Sequence, residues 1–169
     1  MAEISVGEYT DDRRESLIEM ILEIQRKEFQ IPITREDQPD LAAIPRFYQQ
    51  GNGNFWVALC DGQVVGSVGL LDIGNQQVAL RKMFVQAGFR GGEHGIAQRL
   101  LQTVTAWVGQ KGTKDIFLGT TDKFLAAHRF YEKNGFVRIA KADLPAGFPV
   151  MQVDTVFYHR RTTAIPGKN

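Results

Sequence analysis

The sequence predicts an α/β fold built on one mixed sheet. Two turn dipeptides, Asp61-Gly62 and Gly74-Asn75, separate three apolar runs, and turns of this kind join antiparallel strands. Farther along, an apolar strand at 78–85 is followed by an amphipathic helix and by a strand at 116–119, and a crossover of this length implies a parallel pair. An antiparallel meander should therefore precede a parallel crossover, and the central strands can splay apart where the two halves meet.

Before the meander, the chain predicts a short strand and two helices. Residues 4–6 read as the strand, and Asp11 or Asp12 stands where a residue could cap the first helix. Breaks at Pro32 and Pro39 separate it from a second helix at 41–48. The apolar face of the first helix comprises Leu17, Ile18, Ile21, Ile24 and Phe29.

The second half of the chain alternates helices and strands. The helix after the strand at 78–85 carries one buried stripe and is expected to end at Gly109 and Gly112. Residues 126–134 predict another helix, stopped by Asn134-Gly135, and residues 136–139 begin a further strand. The stripe consists of Ile96, Ala97, Leu100, Leu101, Val104, Trp107 and Val108.

The loop between the strand at 78–85 and its helix is the most informative stretch of the chain. It reads Arg90-Gly-Gly-Glu-His-Gly95, and its glycines allow backbone N–H groups to turn inward. The following helix adds the positive end of its dipole, and Arg90 adds a charge. The pattern predicts a cradle for phosphate, although a glycine-rich turn before a helix is also found as a plain connection.

Two motifs in this order resemble the GNAT superfamily of acetyl-coenzyme A-dependent N-acetyltransferases. The first runs Val85-x-x-x-Phe89-Arg90-Gly91 to Gly95-Ile96-Ala97-x-x-Leu100-Leu101, and the second is Ala127-x-x-Phe130-Tyr131-Glu132-Lys133-x-Gly135-Phe136. The resemblance implies the GNAT-like acyl-CoA N-acyltransferase fold, acetyl-CoA as cosubstrate and no metal. It implies direct attack by a primary amine of a small molecule or protein. A non-catalytic acyl-CoA-binding module is the alternative, and a plain interaction domain is the least favoured.

The resemblance also assigns roles to particular residues. Pantetheine amides should pair with the edge of the strand near Phe84 and Val85, where a backbone N–H can stabilise an oxyanion. The matching family tyrosine protonates the leaving thiolate, so Tyr131 is the expected general acid, with a purely structural aromatic as the alternative. The expected cofactor-binding residues are Met83, Phe84, Val85, Arg90, Gly91, Gly92, His94, Gly95, Ile96, Ala97, Phe124, Ala127, Phe130 and Lys133.

The chain departs from the family pattern in three places. The segment Gly92-Glu93-His94 makes the loop about two residues longer, which leaves open which amides face the pyrophosphate. The fourth strand carries no carboxylate at 78–82, so the general base stays open among Asp72, His128 and a water chain ending on a backbone carbonyl. Phe124 stands where relatives often place an asparagine that contacts the cofactor.

Composition limits the partners. With 169 residues, 43% apolar content and a net charge of +1, the chain suits a single domain at 1–164 with a frayed tail at 165–169, and it does not suit bulk nucleic-acid binding. No apolar run approaches the ~18 residues of a membrane span, which favours a cytoplasmic protein. The lone Cys60 is expected to be a buried thiol. Homodimers are common in the family, and the sequence leaves the oligomeric state open.

The acceptor amine is not identified by the sequence. Its recognition is expected to fall to the helices within 12–50 and to the loop at 141–149. Asp143 and Asp154 could attract a cationic amine or be ordinary solvated carboxylates. Phe148 and Pro149 could line an apolar wall or only anchor the loop.

Overall fold

The computed structural model describes residues 3–92, 94–151 and 154–162. Glu93 and the tail that was predicted to fray lie outside these residues. The described residues form a mixed seven-stranded sheet in the order β1-β2-β3-β4-β5-β7-β6. The strands are β1 Ile4–Glu8, β2 Asn54–Cys60, β3 Gln63–Gly74, β4 Gln77–Val85, β5 Asp115–Thr120, β6 Val137–Ile139 and β7 Val156–Arg161.

The first four strands form the predicted antiparallel meander, and β5 pairs parallel to β4 as expected. Asp61 and Gly62 form the first hairpin turn with φ values of 52° and 82°. The second turn lies one residue later than predicted, because Gly74 still pairs with Gln77 and the turn residues are Asn75 and Gln76. The strand β7 was not predicted at all.

The first two helices differ from the prediction in detail. A 3₁₀ turn at Asp11–Arg13 leads into α1 (Arg14–Leu22), which continues as a π-helical segment at Glu23–Glu28. In the described structure neither predicted aspartate caps α1, since Asp11 accepts a hydrogen bond from Tyr9 and Asp12 accepts one from Thr10.

The predicted helix at 41–48 is interrupted. A 3₁₀ turn at Pro39–Ala42 is followed by α2 (Ile44–Phe47), and Ala43 between them has φ −142° and ψ 46°. Pro45 explains the break, because it has no N–H to donate to the carbonyl of Leu41 in a continuous helix.

The later helices follow the prediction more closely. The helix α3 (Ile96–Lys111) runs through Gly109 and ends only at Gly112, so the expected stop at Gly109 is wrong. Gly112 has φ 70°, a left-handed conformation that glycine adopts without strain. The helix α4 (Leu125–Lys133) is followed by Asn134-Gly135 as expected.

Apolar side chains cover both faces of the sheet. Alternate residues of β2 face opposite sides, so Trp56 and Ala58 pack with α3 while Phe55 and Val57 pack with α1. Cys60 is buried on the α3 side, as predicted. Within the described residues no helix is both long enough and apolar enough to cross a membrane.

The sheet opens between β4 and β5. Their pairing joins Gln77–Ala79 to Asp115–Phe117 and goes no farther among the described residues. Just beyond this point the register between β3 and β4 shifts, and Lys82 adopts a φ of 56°. A non-glycine residue with positive φ is uncommon and marks a local distortion of the strand. The predicted splay is confirmed, and it leaves a cleft beside residues 80–85.

Candidate active site

Two adjoining pockets occupy the cleft between the splayed strands. We call the larger one, of about 490 Å³, the outer pocket, and the smaller one, of about 120 Å³, the inner pocket. Met83 and Phe84 of β4 line both, as does Tyr131 of α4. The outer pocket extends toward the glycine-rich loop, and the inner pocket extends beneath the loop at 141–149.

The outer pocket gathers most of the residues that the sequence assigned to the cofactor. Of the predicted set, Met83, Phe84, Val85, Arg90, Gly91, Ala97, Phe124, Ala127 and Phe130 line it. In the described structure the remaining members lie outside the lining: Gly92, His94, Gly95, Ile96 and Lys133. Ile96 is buried in the core, and Lys133 is exposed on α4. The ring of His94 lies against that of Phe89, with centroids 5.7 Å apart.

Arg90 is already paired. Its Nε donates to the carbonyl oxygen of Val85 at 2.8 Å, which holds the side chain across the loop. Its terminal nitrogens form a two-pronged ion pair with Glu28 at the end of the π-helical segment, with one N–O distance of 2.7 Å. An anion in the loop would therefore compete with Glu28 for the guanidinium.

The loop reaches α3 through a left-handed residue. Gly95 has φ 58° and precedes the first turn of the helix, where backbone N–H groups have no intrahelical acceptor. Such a helix start is suited to an anion. Ala97, in the same turn, lines the outer pocket.

An aromatic wall closes the outer pocket opposite the loop. Phe124 packs edge-on against Phe29, with centroids 4.6 Å apart, and against Phe84, with centroids 6.2 Å apart. Phe124 thus joins the end of the first helical region to β4. Where relatives often have an asparagine, this chain has an apolar contact.

Tyr131 lies at the junction of the two pockets. Its side chain is 5% exposed, and its ring packs against Phe136 and Tyr158. Burial raises the pKa of Tyr131, so the phenol stays protonated at neutral pH. Within the described part of the chain its hydroxyl has no hydrogen-bond partner, and it is available to a ligand.

A buried polar network stands beside the inner pocket. Lys82 donates to the side-chain oxygen of Gln38 at 2.6 Å and lies 3.7 Å from a carboxylate oxygen of Asp40. Tyr48 donates to the same oxygen of Asp40 at 2.5 Å. Gln25 exchanges two side-chain hydrogen bonds with Gln38. Burial lowers the pKa of Lys82 to about 8.

Arg81 and Asp154 form the far end of the inner pocket. The guanidinium of Arg81 lies over the rings of Phe47 and Tyr48, at 5.4 Å and 5.9 Å from their centroids, and 3.1 Å from the sulfur of Met151. Asp154 accepts the backbone N–H of Met151 at 2.9 Å, and burial raises the pKa of its carboxyl. The sequence proposed Asp154 but gave no signal for Arg81 or for the Lys82 network.

The other sequence candidates are engaged elsewhere. Asp72 accepts backbone N–H groups of Asn52 and Gly74, both at 2.9 Å, and so holds a turn. His128 binds the carbonyl oxygen of Thr121 through Nε2 at 2.9 Å. Asp143 is exposed and accepts the N–H of Ala140. From the loop at 141–149, Phe148 and Pro149 line the inner pocket.

Residues 18–136 match the model of the acetyltransferase (GNAT) family. N-acetylaspartate synthetase of Danio rerio is 38% identical over 106 residues, which are 62% of this chain and 37% of that protein. The chain spans about half the length, or less, of the curated relatives it matches.

Solved structures agree with the same family. A GNAT-family acetyltransferase from Staphylococcus aureus Mu50 superposes with a TM-score of 0.91 at 42% identity, covering 95% of this chain and all of the other (100%). The PaiA N-acetyltransferase of Thermoplasma acidophilum, solved in complex with coenzyme A, has a TM-score of 0.71 at 16% identity. That match covers 94% of this chain and 99% of the other and shows the shared fold alone.

Proposed function

The chain belongs to the acetyltransferase (GNAT) family, and from that premise we propose that it transfers an acetyl group from acetyl-CoA to a primary amine. The observation that carries the proposal is the position of Tyr131, whose hydroxyl side lies where a large pocket and a small pocket meet. The outer pocket would hold the cosubstrate and the inner pocket the acceptor. An inner volume of about 120 Å³ favours a small molecule over a protein side chain presented on a folded surface.

In this proposal acetyl-CoA binds along the edge of β4 that β5 leaves open. Pantetheine amides would pair with the backbone near Met83–Val85, as an added strand pairs with a sheet edge. The pyrophosphate would take up the loop at 90–97 and the start of α3, where N–H groups and Arg90 favour an anion. The aromatic wall of Phe84 and Phe124 would enclose the thioester end. The fold of PaiA, which holds coenzyme A in its own crystal structure, supports this orientation.

The reaction would be a direct attack. The amine nitrogen bonds to the thioester carbonyl carbon, and a backbone N–H near Phe84 and Val85 stabilises the oxyanion. Collapse of this intermediate breaks the carbon–sulfur bond, and the thiolate takes the proton of the Tyr131 phenol. A thiol has a reference pKa near 8.5 against about 10 for a phenol, so the transfer is uphill in water. Desolvation in the closed cleft also raises the basicity of the thiolate and reduces this difference.

The amine must also lose a proton. Of the three routes open from the sequence, Asp72 and His128 are held by other contacts, as described above. The route that remains is water passing the proton to a backbone carbonyl. Peptide carbonyls of the splayed strands, which lack a strand partner in the described structure, are suited to receive such a water.

Substitution of Tyr131 by Phe tests the proposal. Release of the coenzyme A thiol should fall by at least about tenfold, the low side of what a general acid contributes, while affinity for acetyl-CoA is retained. Tyr158→Phe is the matched control, because it removes a neighbouring phenolic hydroxyl that donates to Glu132 instead of facing the pockets. Unchanged turnover in Tyr131→Phe would contradict the general-acid role. Binding of acetyl-CoA without turnover of any amine would favour the non-catalytic acyl-CoA-binding module.

A further inference from the structure

Arg81 presents an uncompensated cation to the inner pocket. Its guanidinium carries five N–H donors, yet the contacts around it are two aromatic faces and the weakly accepting sulfur of Met151. Among the described residues no carboxylate oxygen lies within ion-pair distance of it. A half-buried guanidinium in this state has most of its hydrogen-bonding capacity available to a ligand.

The other charges at this pocket are already balanced or weakened. Lys82 faces Asp40 and Gln38, which satisfy its ammonium group. Asp154 is the one carboxylate in the described lining, and one of its oxygens accepts the N–H of Met151. Because burial raises the pKa of Asp154, its negative charge is disfavoured there. The inner pocket therefore has a surplus of positive charge at the Arg81 end.

We propose that the acceptor is a small amine that carries a carboxylate, as an amino acid does, and that Arg81 binds this carboxylate. The inference rests on the proposed function of the cleft. A guanidinium binds a carboxylate through two parallel hydrogen bonds, and this geometry selects orientation as well as charge.

The spacing along β4 fits a small acceptor. Arg81 precedes Phe84 by three residues, so a strand rise of about 3.3 Å per residue puts their backbones at most about 10 Å apart. A carboxylate held at Arg81 would point the rest of the molecule toward Met83, Phe84 and Tyr131, where the thioester is proposed to lie. Phe148 and Pro149 supply an apolar wall for a side chain on the way.

A polycationic acceptor is the opposite case. Such a molecule would bring positive charge to Arg81 and would have Asp154 as its only anionic partner in the described lining. The pocket accordingly favours an amino acid over the amine of the same skeleton without its carboxylate.

The test measures thiol release at saturating acetyl-CoA with matched acceptors. L-leucine, L-phenylalanine and L-aspartate are each compared with the amine that remains when the carboxyl groups are replaced by hydrogen: 3-methylbutylamine, 2-phenylethylamine and ethylamine. We expect the wild-type protein to prefer the carboxylate in at least one pair by ~10-fold or more in kcat/KM, since hydrogen bonds to charged groups contribute on this scale.

Arg81→Met should remove that preference while leaving affinity for acetyl-CoA, and turnover of the plain amine, unchanged. Arg81→Lys keeps a charge without the planar fork and should restore part of the preference. Arg138→Met, an exposed arginine on β6, is the matched control and should keep the wild-type preference.

Three results separate the inference from the proposed function. If acetyl-CoA binds and plain amines are acetylated as well as amino acids, or if no carboxylate-bearing acceptor is turned over, the carboxylate inference is overturned and the proposed function is not. If Arg81→Met keeps the preference, Arg81 is not the anchor and the inference is likewise overturned. Failure of the intact protein to bind acetyl-CoA would overturn the proposed function and the inference with it.

Discussion

Lys82 is a buried cation whose protonation is coupled to folding. Its side chain is 7% exposed, and the pKa of its ammonium is lowered by burial from 10.5 to about 8, against the opposing effect of Asp40. Between these two values the unfolded chain holds the proton more tightly than the folded protein does. The free energy of unfolding should therefore rise with pH across this window, because the state that binds more protons is penalised as protons become scarce.

This linkage predicts a pH-dependent difference between wild type and Lys82→Met. From pH 8 to 10 the wild-type free energy of unfolding should rise relative to that of the variant by about 2 kcal/mol, at 1.36 kcal/mol for each unit of pKa difference. Urea unfolding at intervals through this range measures it. Lys141→Met, at an exposed lysine, is the control and should run parallel to wild type. A flat or falling difference for Lys82→Met would show that Asp40 holds Lys82 protonated throughout.

Individual residues of the candidate site were predictable only where a local pattern fixes them. Arg90 and Tyr131 stand in short motifs next to an element boundary, and the structure brings both to the outer pocket. Arg81 and the Lys82–Asp40 pair carry no such signal, because their surroundings come from segments far apart in the chain. A charged residue within a predicted strand looks like an ordinary solvated position until the opposite wall of the pocket is known.

At the scale of elements, the end of the first helical region closes on the glycine-rich loop. Glu28, the last residue of the π-helical segment, holds the guanidinium of Arg90 through two oxygens. If the pyrophosphate of acetyl-CoA binds this loop, it must share or displace that contact. Glu28 then reduces affinity for the cosubstrate in the unliganded state and would release Arg90 on binding.

Glu28→Gln should therefore bind acetyl-CoA more tightly, by roughly two- to fivefold, since an exposed ion pair contributes at most about 1 kcal/mol. Calorimetric titration measures the change. Glu15→Gln is a matched control, because Glu15 lies in α1 and forms a similar two-pronged pair with Arg35, at 2.8 Å and 2.7 Å. Weaker binding in Glu28→Gln would mean that Glu28 positions Arg90 for the anion instead of competing with it.

Which elements the sequence predicts depends on how local their causes are. The meander, the crossover and α4 follow from turn dipeptides and apolar periodicity, and all are present. The break in the helix at 41–48 also has a local cause in Pro45, which the apolar pattern concealed. The strand β7 was missed because its apolar run is three residues long before His159, and its place between β5 and β6 is set by long-range pairing.

At the scale of the whole molecule, the two halves of the sheet are packed separately and meet at a short seam. One large core joins α3 to the meander, and a smaller cluster of Ala79, Phe117, Phe148 and Phe157 lies where the seam ends. The seam itself is limited to the pairing of residues 77–79 with 115–117. Backbone groups beyond it gain partners only from solvent or a ligand, so the cleft follows from the topology and not from any single residue.

The unpaired stretch of β4 should respond to the cosubstrate as a sheet edge responds to a new strand. Saturating acetyl-CoA should slow amide hydrogen exchange at residues 83–85, because pantetheine would cover groups that now open without breaking a strand pair. Amides at 55–57 in β2, which has strands on both sides, are the internal control and should change little. Amide exchange followed by NMR or mass spectrometry distinguishes the two regions. Protection confined to the loop at 90–97, with none at 83–85, would place the pyrophosphate as proposed but remove β4 as the pantetheine-binding edge.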